Sequence, residues 1–234
     1  MMNASSISSR FKDLFVTPSI VFDFDGTLAI GHGPVLAYAL CVAPEGSKDF
    51  LERVRRELRR YDDGQSIYRD GYDIVAKLAS ELGIDDGTMS VAYGESRKLL
   101  GSDLAPVEHV RGIKDILSSL KGHARLVLAT NAPENGVHDL LHQWGVADLF
   151  DQLHFVVGKP AGLISIISDL QLDGPVLAVG DIYEFDLSPA AQLGADTALV
   201  GATATISEAK VSMRGDSIAD LPLLAWVSSR VSSS

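Results

Sequence analysis

Short apolar runs alternate with helical patterns along the second half of the chain. The apolar spacing predicts strands at 125–130, 153–157, 176–180 and 196–200. It predicts helices between and beside them at 113–121, 134–144, 161–170 and 187–194. Another apolar, β-branched and aromatic run at 19–22 predicts a buried strand near the start. Alternating strands and helices predict an α/β fold, with a Rossmann-like parallel sheet that carries helices on both faces.

The pattern changes between residues 32 and 106, where strand-like runs disappear. Helices are predicted at 49–61, at 72–82 before Gly83, and within 89–100. Gly- and Pro-containing segments at 31–34 and 103–106 flank this region, and such residues interrupt regular structure. We therefore expect a core formed by residues 1–31 and 107–234, and a small all-helical domain formed by residues 32–106.

The composition predicts a globular chain and argues against several classes of partner. The 234 residues are 46% hydrophobic, with a mean hydropathy of +0.15, which supports a sizeable core. A net charge of −11 and a pI near 4.9 argue against binding nucleic acid or an anionic membrane surface. Cys41 is the only cysteine, which favours a reducing, cytoplasmic setting. No apolar run is long enough to span a membrane, and residues 1–10 and 228–234 are expected to be frayed ends.

Two carboxylates follow the first predicted strand. Asp23 and Asp25 are one residue apart, and Gly26 marks the end of the regular structure. Alternate residues of a strand face the same way, so these side chains would repel each other if the strand continued. The pair makes chemical sense if one carboxylate attacks, the other transfers a proton, and a divalent cation screens both. The alternative is a polar turn that ends an ordinary strand.

Three later predicted strands also end in reactive or phosphate-binding residues. Thr130 and Asn131 follow one strand, Lys159 follows the next, and Asp181 follows the third, with Asp186 five residues further on. Ligands of an open parallel sheet bind outside the carboxyl ends of its strands. A hydroxyl, an amine and several carboxylates are therefore expected at one edge, and this set is suited to binding a cation and a phosphate.

The ordered set of motifs resembles the haloacid dehalogenase superfamily, specifically its phosphatase-like members. The motifs are Asp23-Phe24-Asp25-Gly26-Thr27, Thr130-Asn131, Lys159-Pro160, and Gly180-Asp181 through Asp186. The resemblance covers roughly residues 19–224, and it rests on the order of the motifs rather than on any one of them. It implies that residues 32–106 form a C1-type cap, which is a mobile helical domain that closes over the site and selects the substrate.

The resemblance implies a role for each motif residue. Asp23 would be the nucleophile that forms an aspartyl-phosphate, and Asp25 the general acid and later the general base. Thr130 would donate its hydroxyl to a phosphate oxygen, and Lys159 would neutralise charge on the phosphoryl group and on Asp23. Asp23, Asp181 and the backbone carbonyl of Asp25 would bind Mg²⁺, which prefers hard oxygen ligands.

Three further site residues have two interpretations each. Asp186 either binds the metal through water or orients Lys159. Asn131 either contacts the phosphate or stabilises a turn. His32 follows the first motif closely, and it either reaches the phosphorylated substrate or is a loop histidine in a Gly-rich hinge.

The predicted function is Mg²⁺-dependent phosphoryl transfer from a small phosphorylated metabolite to Asp23 and then to water, in a monomer or homodimer. A phosphomutase is the main alternative, because it shares the first half-reaction and returns the phosphate to a sugar. A dehalogenase is disfavoured because the dehalogenases of this superfamily lack the second aspartate, which here is Asp25. A catalytically idle binding protein is disfavoured because all four motifs are complete.

Overall fold

The computed structural model describes residues 16–44 and 47–231, and its main feature is a parallel sheet. The strands of the described residues are β1 (Ser19–Phe22), β2 (Ala29–Ile30), β3 (Glu108–His109), β4 (Arg125–Ala129), β5 (Gln152–His154), β6 (Val176–Gly180), β7 (Asp196–Leu199) and β8 (Met213–Arg214). Six of them form one sheet in the order β5-β4-β1-β6-β7-β8, and all its neighbouring strands are parallel. β2 and β3 form a separate antiparallel pair.

The helices alternate with the strands after residue 112 and stand alone before it. Those of the described residues are α1 (Gly33–Val42), α2 (Lys48–Asp62), α3 (Gly71–Glu81), α4 (Asp86–Arg97), α5 (Ile113–Leu120), α6 (Glu134–Gln143), α7 (Ala161–Gln171), α8 (Ser188–Gln192) and α9 (Leu223–Val231). A π-helical turn covers Tyr183–Leu187, directly before α8. None of these helices has the length and apolar character that crossing a membrane requires.

The sheet is buried on both faces, as a doubly wound α/β fold requires. Ile20 and Phe22 of β1 belong to a hydrophobic cluster with α5, α6 and α9. Val21, which points to the opposite face, belongs to a second cluster with α7 and α8. The predicted fold class is thus confirmed, and β1 lies in the middle of the sheet with β4 and β6 as its neighbours.

Helices α1 to α4 form a hydrophobic cluster of their own. Its buried residues include Val54 and Leu58 of α2 and Ile74 and Leu78 of α3. The carboxylates of Asp70 and Asp85 cap the first turns of α3 and α4 by accepting backbone hydrogen bonds. The all-helical character predicted for this region is therefore present, whereas the boundaries at residues 32 and 106 stay a prediction.

Two expectations differ from the structure around the first hinge and the C-terminus. Helix α1 begins at Gly33 and Pro34, where we expected only a hinge, and proline suits a first helical turn because it lacks the N–H that would have no partner there. Helix α9 extends to Val231, so residues 228–231 are helical rather than frayed. The other expected frayed residues, 1–10 and 232–234, lie outside the described residues.

Two more differences from the prediction lie just after strands β5 and β6. Strand β5 ends at His154 instead of residue 157, because Val156 has a positive φ of 50° that no strand accommodates. The helix predicted at 187–194 is shorter, and the π-helical turn before it begins at Tyr183. Both departures shape loops that carry site residues.

Candidate active site

The carboxyl ends of the central strands bring an aspartate, a lysine and a second aspartate together. Asp23 follows β1, and Lys159 is on the loop after β5. The Lys159 ammonium group donates hydrogen bonds to Oδ1 of Asp23 at 2.5 Å and to Oδ1 of Asp186 at 2.8 Å. All three side chains are buried. These contacts join residues 136 and 27 positions apart, so only the packed sheet creates them.

Three carboxylates form an acidic cluster beside this lysine. One oxygen from each of Asp23, Asp181 and Asp186 lies within 4.8 Å of the others, and no other group of three or more potential metal ligands occurs in the described residues. The pKa of Asp23 is raised to about 7: burial is the largest cause, Lys159 opposes the rise, and Asp186 and Asp25 add to it. Burial, with Asp186 and Asp23, raises the pKa of Asp181 well above its usual value.

When they are ionised, the three carboxylates carry more negative charge than Lys159, their cationic partner among the described residues, neutralises. Lys159 supplies one positive charge to the three carboxylates Asp23, Asp181 and Asp186. Burial would lower the pKa of Lys159, but Asp23 and Asp186 outweigh that effect and raise it, so the ammonium form is stable. Closely spaced carboxylate oxygens with residual negative charge are the donor set that suits a hard divalent cation such as Mg²⁺. The residues present therefore fit the cation that the sequence predicts.

Asp186 is held by the protein through both of its oxygens. Besides Lys159, it accepts a hydrogen bond from the backbone N–H of Ile182 at 3.0 Å. The π-helical turn that contains Asp186 places it in this position. Of the two interpretations of Asp186, orientation of Lys159 has a direct contact in the structure, and a role as a metal ligand stays a prediction.

Thr130 and Asn131 connect the end of β4 to the lysine loop. Oδ1 of Asn131 accepts the backbone N–H of Lys159 at 2.8 Å, so this amide stabilises the turn. The backbone carbonyl of Thr130 accepts the N–H of Val157 at 3.0 Å. Oγ1 of Thr130 accepts the N–H of Ala132 at 3.0 Å, which fixes the direction of a buried hydroxyl at the strand end.

Asp25 is not one of the three clustered carboxylates, and its side chain contacts α4. Its two carboxylate oxygens lie 3.4 and 3.3 Å from the two terminal nitrogens of Arg97, at the end of α4. The predicted role of Asp25 as a metal ligand concerned its backbone carbonyl, and that role stays a prediction. Sequence reasoning missed Arg97. The structure shows it as one of the buried residues of α4, with Met89, Ala92 and Ser96.

A cavity of about 340 Å³ lies at this site, between the carboxyl edge of the sheet and the helical region that contains α1 to α4. From the core it is lined by Asp23, Asp25, Thr130, Asn131, Lys159, Asp181 and Asp186. From the helical region, its lining includes Arg69 and three tyrosines, Tyr38, Tyr72 and Tyr93. The centroids of these rings lie 5.8 to 6.0 Å apart, so the three tyrosines form one aromatic cluster in the lining of the cavity.

His32 lies in a neighbouring cavity of about 290 Å³. Its Nε2 forms a hydrogen bond with Asp62 at 2.9 Å. Asp25 and Asp181 line both cavities, but His32 does not line the one that contains Asp23 and Lys159. The structure therefore does not bring His32 to the predicted phosphate position; it supports the interpretation of a hinge histidine held by a carboxylate.

Comparison with known families identifies the family of the chain. The sequence profile of the haloacid dehalogenase-like hydrolases matches residues 18–194, which include all four motifs. The chain therefore belongs to the haloacid dehalogenase-like hydrolases. A search of curated proteins finds no match.

Solved structures share the fold at low sequence identity. The HAD-hydrolase YfnB from Bacillus subtilis, whose crystal form is bound to magnesium, is 14% identical with a TM-score of 0.61, over 92% of this chain and 99% of that one. A HAD phosphatase from Thermococcus onnurineus is 17% identical with a TM-score of 0.58, over 89% and 98%. A 2-haloacid dehalogenase from Pseudomonas syringae is 16% identical with a TM-score of 0.53, over 91% and 99%. At these identities the likeness concerns the fold alone.

Proposed function

We propose that this protein is a Mg²⁺-dependent phosphatase that acts on small phosphomonoesters through an aspartyl-phosphate on Asp23. The observation that carries the proposal is the 2.5 Å contact of Lys159 with Asp23 inside the acidic cluster. A buried carboxylate whose neighbours are other carboxylates and one ammonium group is suited to attack an anionic phosphorus centre once the charges are balanced.

In the first half-reaction, a carboxylate oxygen of Asp23 attacks the phosphorus, and the bond from phosphorus to the alcohol oxygen breaks. Asp25 supplies the proton that the leaving oxygen needs. Lys159 neutralises charge that develops on the phosphoryl oxygens, and the Thr130 hydroxyl, whose oxygen is held by Ala132, donates to one of them.

In the second half-reaction, water attacks the phosphorus of the aspartyl-phosphate. Asp25 accepts the proton of that water, the bond between phosphorus and the Asp23 oxygen breaks, and inorganic phosphate is released. Asp25 therefore ends the cycle with the proton that it had at the start. Asp186 and Asn131 hold Lys159 throughout, through its ammonium group and its backbone N–H.

Asp23 and Asp181 are the residues that would hold Mg²⁺, and the metal, when bound, would screen the negative charge of the cluster and of the substrate. The backbone carbonyl of Asp25 would be a further ligand, and Asp186 would act through water or through Lys159. The substrate is a small phosphorylated metabolite. We expect the protein to act in a reducing cytoplasm, because Cys41 is its single cysteine.

A halide-releasing reaction is less well supported by this site. A halide leaves without protonation, so a dehalogenase has no use for an acid at position 25. Here Asp25 is present, lines the cavity and is held by Arg97. This argument favours a leaving group that must be protonated, such as an alcohol of a phosphate ester.

The test is a phosphate-release assay on sugar, nucleotide and glycolytic phosphomonoesters and on an aryl phosphate. We expect release with Mg²⁺ and none with excess chelator, because clustered carboxylates repel a dianionic substrate unless a cation screens them. Asp23→Asn, purified in the same way, controls for contaminating phosphatases. Equal rates with and without chelator would refute the metal role, and an isomerised product without phosphate release would identify a phosphomutase.

A further inference from the structure

Arg97 links the cap to the candidate general acid. It is the last residue of α4, and its side chain is only 3% exposed. Nη1 lies 3.4 Å from Oδ1 of Asp25, and Nη2 lies 3.3 Å from Oδ2, so the guanidinium group faces the carboxylate with both of its terminal nitrogens. This paired geometry restricts rotation of the carboxyl group in a way that a single contact does not.

The cap also fixes the guanidinium group itself. Nη1 of Arg97 donates to the hydroxyl of Tyr72 at 2.7 Å, and the group lies 5.7 Å from the ring centroid of Tyr93. Burial would lower the pKa of Arg97, but Asp25 and the two tyrosines outweigh it and raise the pKa, so the charge is permanent. A buried cation held by α3 and α4 is costly to leave without its carboxylate partner.

Within residues 16–44 and 47–231, the side-chain hydrogen bonds of Asp25 are those with Arg97, and none comes from the core side of the site. Its side chain is 28% exposed, and it stands next to the exposed Gly26 at the point where β1 has ended. Proton transfer requires the donor and acceptor atoms to be about 2.6 to 3.2 Å apart, and a small displacement of either atom lowers the reaction rate strongly. A partly exposed carboxyl group on a turn meets that requirement only if something holds it.

We propose that Arg97 is a positioning residue that sets the direction of the Asp25 carboxyl group, so that proton transfer by Asp25 depends on the cap being seated on the core. This role of Arg97 rests on the proposed function, and it makes the proton-transfer step of that function depend on the contact between cap and core. Two rival roles exist for Arg97: it binds the substrate phosphate directly, or it only holds the cap together. Each rival predicts a different kinetic pattern.

The first test compares leaving groups. Arg97→Met should lower kcat for an alkyl phosphate roughly a hundredfold, because loss of general acid catalysis has effects of this size. For p-nitrophenyl phosphate, whose leaving group needs little protonation, the loss should stay below about tenfold. Tyr72→Phe removes only the hydroxyl that holds Arg97, so we expect the same trend at smaller size. Arg53→Met, on the exposed pair with Glu81, should leave both rates unchanged.

The second test is a double-mutant cycle with Asp25→Asn. If Arg97 acts through Asp25, adding Arg97→Met to Asp25→Asn should change kcat by no more than about twofold. If the kcat losses of the two single variants multiply in the double variant, or if Arg97→Met lowers kcat equally for the two leaving groups, the proposal is overturned in favour of a structural role. A rise in KM for every substrate that persists in the Asp25→Asn background would overturn it in favour of phosphate binding.

Two further measurements cover the remaining cases. If Arg97→Met does not fold, Arg97→Lys carries the test, because it keeps the charge but loses the paired geometry and should show the same leaving-group pattern. If the wild-type protein releases no phosphate, the proposed function fails, and hydrogen exchange decides the structural claim. Exchange of residues 24–31 should then be faster in Arg97→Lys than in the wild type, while α7 is unaffected; equal exchange would overturn the proposal.

Discussion

Gly26 and Asp181 approach each other so closely that no side chain fits between them. A Cβ atom on Gly26 would lie 2.2 Å from Oδ2 of Asp181, and Gly26 has a φ of +82°. The turn after the first aspartate pair thus lies against the carboxylate that follows β6. This close approach lets Asp181 stand within 4.8 Å of Asp23 and Asp186 and so completes the acidic cluster.

Gly26→Ala should therefore weaken metal binding as well as folding. A positive φ costs a non-glycine residue about 1–2 kcal/mol, and the new methyl group must also displace Asp181. We expect a loss of Mg²⁺ affinity of at least about tenfold, comparable to other changes that misplace a ligand. Gly31→Ala is the matched control, because Gly31 has a φ of +89° and nothing within 4 Å of its Cβ position.

The measurements are urea unfolding and calorimetric titration with Mg²⁺. Both variants should lose stability, and only Gly26→Ala should lose Mg²⁺ affinity. Equal Mg²⁺ affinities in the two variants would show that Mg²⁺ binding does not depend on the position of Asp181.

Asp23→Asn tests the covalent mechanism. The substitution keeps the shape of the side chain and removes the attacking charge, so kcat should fall at least about a thousandfold. Asp115→Asn, an exposed change on α5, is the control and should have no effect. Steady-state phosphate release measures both. Near-normal turnover of Asp23→Asn would mean that another group attacks the phosphorus.

Lys159→Met tests the charge balance of the cluster. Removing the buried ammonium group leaves Asp23 and Asp186 without their cation, and loss of one partner of a buried ion pair costs about 3 kcal/mol or more. Denaturant unfolding in chelator should show this loss, and added Mg²⁺ should restore part of it because it binds only the folded protein. For Lys121→Met, whose pair with Asp151 is about one-third exposed, we expect less than about 1 kcal/mol. Similar losses in both variants would contradict the charge argument.

The two connections between core and cap should become more ordered when the site is filled. β2 and β3 pair Ala29 with His109, so the outgoing and returning chains are joined beside the expected hinges. Amide hydrogen exchange within 29–34 and 106–110 should slow when Mg²⁺ and vanadate bind together, because lid closure over a substrate restricts its hinges. Unchanged exchange in both segments, measured against α7 as an internal reference, would indicate a fixed cleft.

Several features of the site could be predicted from local patterns alone. The apolar runs before Asp23, Thr130 and Asp181 predict strands, and parallel strands bring their carboxyl ends to one edge. The gathering of these residues follows from that geometry, because each is placed by the end of its own strand. Lys159 reaches the same edge even though β5 ends three residues earlier than predicted, since Asn131 holds the backbone of the lysine loop.

The sequence by itself therefore determined the α/β class, the helical character of the region after the first motif, and the order of the motif residues, because periodicity and strand ends are local properties. The tertiary structure alone decided which partner each charged side chain has. Arg97 meets Asp25 across 72 positions, and His32 is held by Asp62 away from Lys159. Such pairs depend on how the cap helices rest on the sheet, and that packing is governed by the shapes of distant surfaces, which hydrophobic spacing does not encode.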